Sequence, residues 1–268
     1  MRLQNLYKIY PFEYISSFNI LNVYYMLEVC GAAMEKFETP KNLALIPDGN
    51  RRWANNHKVS IIKGYDLGIK KFIDFSIWLK DFGGETLTVW ALSTENISNR
   101  SRTELNILYK LYIKAANDKK LLKTLKDNGV RINAIGNLNL IPAEVRRALG
   151  SIERKTKAYK KFTINILIAY GGREEILHAA RKMISQKIHN KIKRIDEAAL
   201  RVCLRTGMLP TPDLIIRTSG ELRLSGFMPW QAGYSELYFA EKYWPDFKKE
   251  DLMLALEDFS KRNRRYGR

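Results

Sequence analysis

Apolar residues recur along this chain in two alternating patterns. Short, nearly continuous apolar runs stand at Leu43–Pro47, Thr86–Leu92, Val130–Gly136, Thr163–Tyr170, Asp213–Thr218 and Glu236–Phe239. Between them lie longer segments of helical period, notably Asp66–Phe82 and Arg102–Asn128; in the second, Leu105, Leu108, Leu111, Tyr112, Ala115, Ala116, Leu122 and Leu125 form one stripe. Strands that alternate with helices predict a parallel sheet with right-handed crossovers. The expected fold is therefore a single α/β domain with a central, mostly parallel six-stranded sheet flanked by helices. No internal repeat is present.

The first segment, Met1 to Glu38, departs from this alternation. It is rich in tyrosine and aliphatics, but Ser16, Ser17, Asn19, Asn22 and Glu28 interrupt it, so it makes a poor membrane span. It also lacks the layout of a signal peptide. An N-terminal amphipathic helix, lying at a membrane interface or docked on the body of the protein, fits better. The organisation expected is a helical extension over residues 1–40 and the α/β domain over 41–268.

Charge and cysteine content narrow the class. The 268 residues carry 46 Lys and Arg against 28 Asp and Glu, a net +18, and residues 1–42 contribute none of the excess. Such a field favours an anionic partner: nucleic acid, an acidic membrane or a phosphorylated substrate. Cys30 and Cys203 stand far apart and form no ligand pattern, which argues against disulfide or zinc frameworks and for a reducing compartment.

In open α/β sheets ligands bind beyond the carboxyl ends of the strands, so the residues directly after each run matter most. After the first run comes Asp48-Gly49-Asn50-Arg51-Arg52-Trp53, and after the second Ser93-Thr94-Glu95-Asn96. Tyr170-Gly171-Gly172-Arg173 follows the fourth, and Arg217-Thr218-Ser219-Gly220-Glu221-Leu222-Arg223-Leu224-Ser225 the fifth. The first loop offers helix-start amides beside two guanidinium groups, which suits phosphate. Asp48 is wrong for a bare anion but right for a divalent metal bridging to diphosphate. An Asp-Gly turn with solvated arginines explains that loop alone equally well, and it is the recurrence of arginines after successive strands that favours two anion clamps. No GxxxxGK[ST] or GxGxxG pattern exists, and His57, His178 and His189 form no catalytic set.

Taken together, and with Trp230-Gln231, Glu236-Leu237-Tyr238-Phe239 and Trp244-Pro245-Asp246-Phe247, these loops resemble the cis-prenyltransferases of the undecaprenyl diphosphate synthase type. The resemblance spans about Lys41 to Gly267. It implies that isopentenyl diphosphate condenses repeatedly onto an allylic diphosphate to build a long polyprenyl diphosphate, precursor of a glycosyl carrier lipid. It implies Asp48 and Asn96 as catalytic residues and Mg2+ as cofactor, with Asp48 and Glu236 as metal ligands. It places Gly49, Asn50, Arg51, Arg52 and Trp53 at the allylic diphosphate, with Ser93, Thr94 and Glu95 along the allylic chain. Arg217, Arg223, Leu224 and Ser225 then hold isopentenyl diphosphate. An apolar tunnel is expected for the product, with the Leu/Tyr stripe and Phe72, Phe75 and Trp78 as candidate walls; core packing explains them equally well. A homodimer is implied, with Arg265-Tyr266-Gly267 reaching the partner's site.

Three departures from the family pattern stand out. Ile61 occupies a usual arginine position, and the usual Gly-His pair is Gly64-Tyr65, which puts Tyr65 among the substrate-binding residues. The Asn96 loop carries one extra residue, so its arginine position falls on Arg100, the preferred choice, or Asn99, and its aromatic neighbour is Ile97. The Arg51-Arg52 pair and the N-terminal extension resemble the archaeal and eukaryotic branch, which implies geranylgeranyl diphosphate as primer and a cytoplasmic, peripherally membrane-associated enzyme. The competing reading, a basic nucleic-acid-binding protein, lacks a recognisable binding module.

Overall fold

The computed structural model describes residues 38–262. The expected N-terminal amphipathic helix and the Arg265-Tyr266-Gly267 tail lie outside the described residues. Six strands form one sheet: β1 (Asn42–Ile46), β2 (Thr86–Ser93), β3 (Val130–Ile135), β4 (Phe162–Tyr170), β5 (Leu214–Arg217) and β6 (Glu236–Phe239). Their order is β3-β4-β2-β1-β5-β6, and all five pairings are parallel, so the mostly parallel expectation is met without an antiparallel member. Parallel sheets need helices on both faces, which is why β1 and β5 are apolar and buried almost throughout.

Nine helices accompany the sheet among the described residues: α1 (Asn50–Asn56), α2 (Ile61–Asp81), α3 (Thr94–Asn99), α4 (Arg102–Asn117), α5 (Lys119–Asn128), α6 (Ala143–Thr156), α7 (Gly172–Ile188), α8 (Glu197–Cys203) and α9 (Lys249–Ser260). The start of α2 precedes the periodic segment because Ser60 caps it, its hydroxyl accepting from the Lys63 amide. The segment Arg102–Asn128 is two helices rather than one. Asp118 leaves helical geometry at φ −69°, ψ 116°, and its carboxylate accepts from the amides of Lys120 and Leu121 at 2.8 and 3.1 Å, ending α4 and starting α5. A short acceptor competes with the helix ladder wherever it can cap instead, so the apolar stripe runs through a break that its period does not reveal.

β1 sits where the strand order reverses, with β2 on one side and β5 on the other. The crevice beyond its carboxyl end is the topological switch point. α1 is fastened there by Trp53, whose indole N–H donates to Asp246 at 2.7 Å, and the Trp244 indole N–H donates to the Gly68 carbonyl of α2 at 2.8 Å. Phe75 packs on Trp244 and Phe247 with ring centroids 5.5 and 5.9 Å apart, and Trp78 lies under Lys71. Of the three aromatics expected to wall a tunnel, Phe72 lines both cavities described below, whereas Phe75 is fully buried in the core.

Candidate active site

Beyond the carboxyl ends of β1, β2 and β5 opens a cavity of about 620 Å3. The loop after β1 enters it through Gly49, whose φ of +99° is open to glycine and strained for other residues. A Cβ there would come within 2.6 Å of Tyr243 and 2.9 Å of Ser219. This turn aims Asp48 across to β5. Asp48 Oδ2 accepts from Arg217 Nη2 at 2.9 Å, its Oδ1 accepts from the Gly49 amide at 2.7 Å, and Arg52 Nη2 lies 3.5 Å from Oδ1. Burial pushes the Asp48 carboxyl up, but the Arg217 and Gly49 hydrogen bonds and the charges of Arg217 and Arg52 outweigh it and hold the group below the usual carboxylate range.

Two clusters of cations flank this carboxylate. On the β5 side, Arg217 is nearly buried and donates from Nη1 to Ser225 Oγ at 2.9 Å and to the Arg223 carbonyl, which ties the loop's two ends together. Glu221 accepts from Arg52 at 2.9 Å and pairs with Arg223, so one carboxylate spans both sides of the cavity. On the β2 side, Glu104 gathers three groups: Tyr65 donates its hydroxyl proton to it at 2.5 Å, and Arg100 and Arg51 lie 3.3 and 3.5 Å away. Arg100 also donates to the Tyr65 oxygen at 3.0 Å. Burial foremost, with Glu104 adding to it, raises the Tyr65 phenol, so it stays a neutral donor. The Nε atoms of Arg100 and Arg217 and the Oδ1 of Asn50 are buried without a hydrogen-bond partner. Two spare buried N–H donors beside a cavity fit an incoming phosphate.

The residues of the Asn96 loop come from the turn after β2. Ser93 caps α3 by accepting from the Asn96 amide at 3.0 Å, which places Asn96 and Glu95 on the cavity wall. Gly171 lies against this loop: a Cβ on it would sit 2.1 Å from Thr94 Oγ1. The turn after β4 thus needs glycine to let the two loops meet.

Most of the sequence-derived site residues converge on this cavity: Asp48, Gly49, Asn50, Arg51, Arg52, Tyr65, Ser93, Glu95, Asn96, Arg100, Arg217, Arg223 and Ser225 all line it. Arg100 lines the cavity, whereas Asn99 is exposed at the end of α3. Ile61 is exposed at the start of α2 and does not line the cavity. Four expected members stand elsewhere. Trp53 stacks on His57 at 4.3 Å and anchors α1; Thr94 backs on Gly171; Leu224 packs with Ile215 and Phe227. Glu236 opens β6 at its amino end, opposite Leu214 and three residues upstream of the Arg217 level, about 10 Å along the strand. There it accepts from Arg262 at 2.8 Å, so it does not join Asp48 within one chain. Glu104 and Glu221 are the groups that the sequence reading did not assign. Glu104 reads as the fourth position of a Ser-x-x-Glu capping box, and Ser101 does accept from its amide at 3.2 Å, which masks the use of its side chain.

Among the described residues no group of three or more metal-ligating side chains occurs. Magnesium, however, is commonly held by one or two carboxylates with substrate phosphates supplying other oxygens. An ionised Asp48 between two cation clusters fits that mode.

A second cavity of about 90 Å3 adjoins the first. Ile69, Phe72, Ala91 and Tyr112 line both, and beyond them the walls are purely apolar, from Ile166 and Ile168 on β4 to Leu121 and Leu125 on α5. The Tyr112 hydroxyl donates to the Ala91 carbonyl at 2.9 Å, which holds the ring at the junction.

Known proteins resemble this chain in sequence and in fold. Residues 46–267 match the Prenyltransf family model, described as undecaprenyl diphosphate synthase. The tritrans,polycis-undecaprenyl-diphosphate synthase (geranylgeranyl-diphosphate specific) of Pyrococcus horikoshii is 42% identical over 233 residues, covering 85% of this chain and 87% of its own. The enzyme of the same name from Methanopyrus kandleri is 41% identical over 252 residues, 92% of each chain. Among solved structures, lavandulyl diphosphate synthase from Lavandula x intermedia, in complex with dimethylallyl diphosphate, superposes with a TM-score of 0.81 at 34% identity, over 86% of this chain and 99% of that one. With an acidic residue between two arginine clusters, an adjoining apolar space and a family match across most of its length, this chain belongs to the undecaprenyl diphosphate synthase family of cis-prenyltransferases.

Proposed function

We propose that the protein extends an allylic diphosphate, geranylgeranyl diphosphate by preference, through repeated cis addition of isopentenyl diphosphate to give a long-chain polyprenyl diphosphate. The observation that carries this reading is the pair of arginine clusters on one cavity that opens onto apolar walls. The names of the archaeal relatives support the primer.

In this reading Arg217, Arg223 and Ser225 hold the diphosphate of isopentenyl diphosphate, while the Gly49–Asn50 turn, Arg51, Arg52, Arg100 and Tyr65 face the allylic diphosphate. Asp48 would hold magnesium, which when bound would supply Lewis-acid stabilisation of the departing diphosphate. When the allylic C–O bond breaks, negative charge grows on the leaving diphosphate, and fixed guanidinium groups stabilise that state more than the ground state. The isopentenyl double bond attacks the allylic carbon as the C–O bond breaks, and its C2 then gives a proton to the released diphosphate; Asn96 orients the isopentenyl unit for this step. Glu221 and Glu104 keep the arginines aligned before substrate arrives. The chain works as a homodimer whose Arg265-Tyr266-Gly267 tail serves the partner's site, and it associates peripherally with a membrane that receives its product.

Radiolabelled isopentenyl diphosphate incubated with geranylgeranyl diphosphate and magnesium should yield butanol-extractable product, with farnesyl diphosphate a poorer primer. Absence of incorporation with every allylic primer would overturn the proposal, and a farnesyl preference would overturn the primer assignment.

A further inference from the structure

The charge of this protein is concentrated at the end of the sheet that the catalytic cavity does not use. Between residues 110 and 161 stand fourteen Lys and Arg against four Asp and Glu, an excess of ten in a chain whose net charge is +18. On α5, Lys119, Lys120, Lys123 and Lys126 are all exposed, while Leu121 and Leu125 on its inner side line the apolar second cavity. The end of α6 adds exposed Arg154, Lys155 and Lys157, and the turn into β4 adds Lys160 and Lys161.

These segments are contiguous. The Ile132 amide of β3 donates to Thr156 Oγ1 at 3.0 Å and the Ala134 amide to Glu153 at 2.8 Å, which lays the last turn of α6 along the β3 edge. The Lys161 amide donates to the carbonyl of Gly129, the residue that ends α5, at 3.0 Å. Among the described residues none of these nine cations enters an ion pair, whereas the arginines lining the catalytic cavity are all paired. Their charge is therefore not neutralised within the chain and stays available to an anionic partner.

We propose that this lysine-coated end, built from α5, the last turn of α6 and the turn before β4, is the docking face for an anionic lipid surface. The inference rests on the polyprenyl diphosphate reading, because an apolar product held in the second cavity lies directly beneath α5 and must finally reach lipid. Basic segments beside a membrane gain about a fivefold binding factor per lysine or arginine. A nucleic acid suits the patch less well: the one aromatic side chain between residues 119 and 161 is Tyr159, half-buried, so no stacking platform accompanies the charge.

The test uses the full chain, co-sedimented at physiological salt with vesicles of phosphatidylcholine alone or mixed with phosphatidylglycerol. Substituting Lys119, Lys120, Lys123 and Lys126 together by Glu should lower affinity for the anionic vesicles at least tenfold. Substituting all four by Arg should preserve it, and turnover of a soluble primer in detergent should stay unchanged in both. The same reversal at Lys187, Lys191, Lys193 and Arg194, another exposed basic group, serves as comparison. If the Glu set lowers the melting temperature, the corresponding Gln set carries the same expectation. Wild-type binding by the reversed protein, an equal loss from the comparison set, or tighter retention of duplex RNA than of anionic vesicles would each overturn the assignment. Turnover in detergent is read separately, so failure of the docking face is distinguished from failure of the prenyltransferase reading.

Discussion

Tyr112 stands where the catalytic cavity meets the apolar one, and the proposed reaction requires the growing chain to pass it. The second cavity measures about 90 Å3 against about 620 Å3 for the first, so it is the smaller part of that path. Tyr112→Ala removes seven heavy atoms, more than one isoprene unit, and joins the two spaces. The product distribution should therefore lengthen by at least one unit. The stability cost follows from the same geometry. Truncating a fully buried aromatic costs about 3–5 kcal/mol, but this ring already faces a cavity on two sides, so about 2–3 kcal/mol is expected. For a chain of this size that is a fall of roughly 5–10 °C in melting temperature. Tyr112→Phe keeps the ring and removes only the bond to the Ala91 carbonyl, costing about 1 kcal/mol and leaving product length nearly unchanged. The assay is reversed-phase thin-layer separation of dephosphorylated products made from radiolabelled isopentenyl diphosphate. A folded, active Tyr112→Ala enzyme with wild-type product lengths would refute the reasoning, because the ring would then not stand in the product's path.

Other consequences follow from the site. Asp48→Asn should abolish turnover while the fold survives; it should also flatten the acid limb of stability. A carboxyl held below its ordinary value stabilises the fold fully above the unfolded pKa, near 4, and that contribution fades as pH falls through the lower folded value, so denaturant titration from pH 5 downward should show a shallower loss in the Asn variant. Gly49→Ala forces a Cβ against Tyr243 and Ser219 at a φ of +99°, and should cost about 1–3 kcal/mol together with most of the activity; a Tm and turnover equal to wild type would contradict this. Trp53→Phe retains the packing and loses the bond to Asp246, so stability should drop by about 1–2 kcal/mol with the KM values of both substrates unchanged in steady-state assays.

The strands, their parallel arrangement and the loops that line the cavity were legible in the sequence, because each is a local property. A buried parallel strand must be continuously apolar, and the residues that follow it must stand at the sheet's carboxyl edge, which is why Asp48, Asn96 and Arg217 could be placed together although they lie far apart in the chain. What the sequence left open depended on partners across space. The break at Asp118 turned on whether a carboxylate capped or stayed in solvent, and periodicity carries no sign of that choice. Glu236 shares an acidic character with Asp48 but begins its strand where Asp48 follows one, so strand polarity separates them by the depth of the sheet. Glu104 and Glu221 looked like a helix cap and a loop acid; only folding brings Tyr65, Arg100 and Arg51 to the first and joins Arg52 to Arg223 through the second. Likewise the Tyr112 hydroxyl finds Ala91 only when α4 packs on β2, and with that contact a residue of an apolar stripe becomes the boundary between two cavities. Side-chain type and local order settle which groups a chain can offer; which of them meet is settled by the packing of segments that the chain separates.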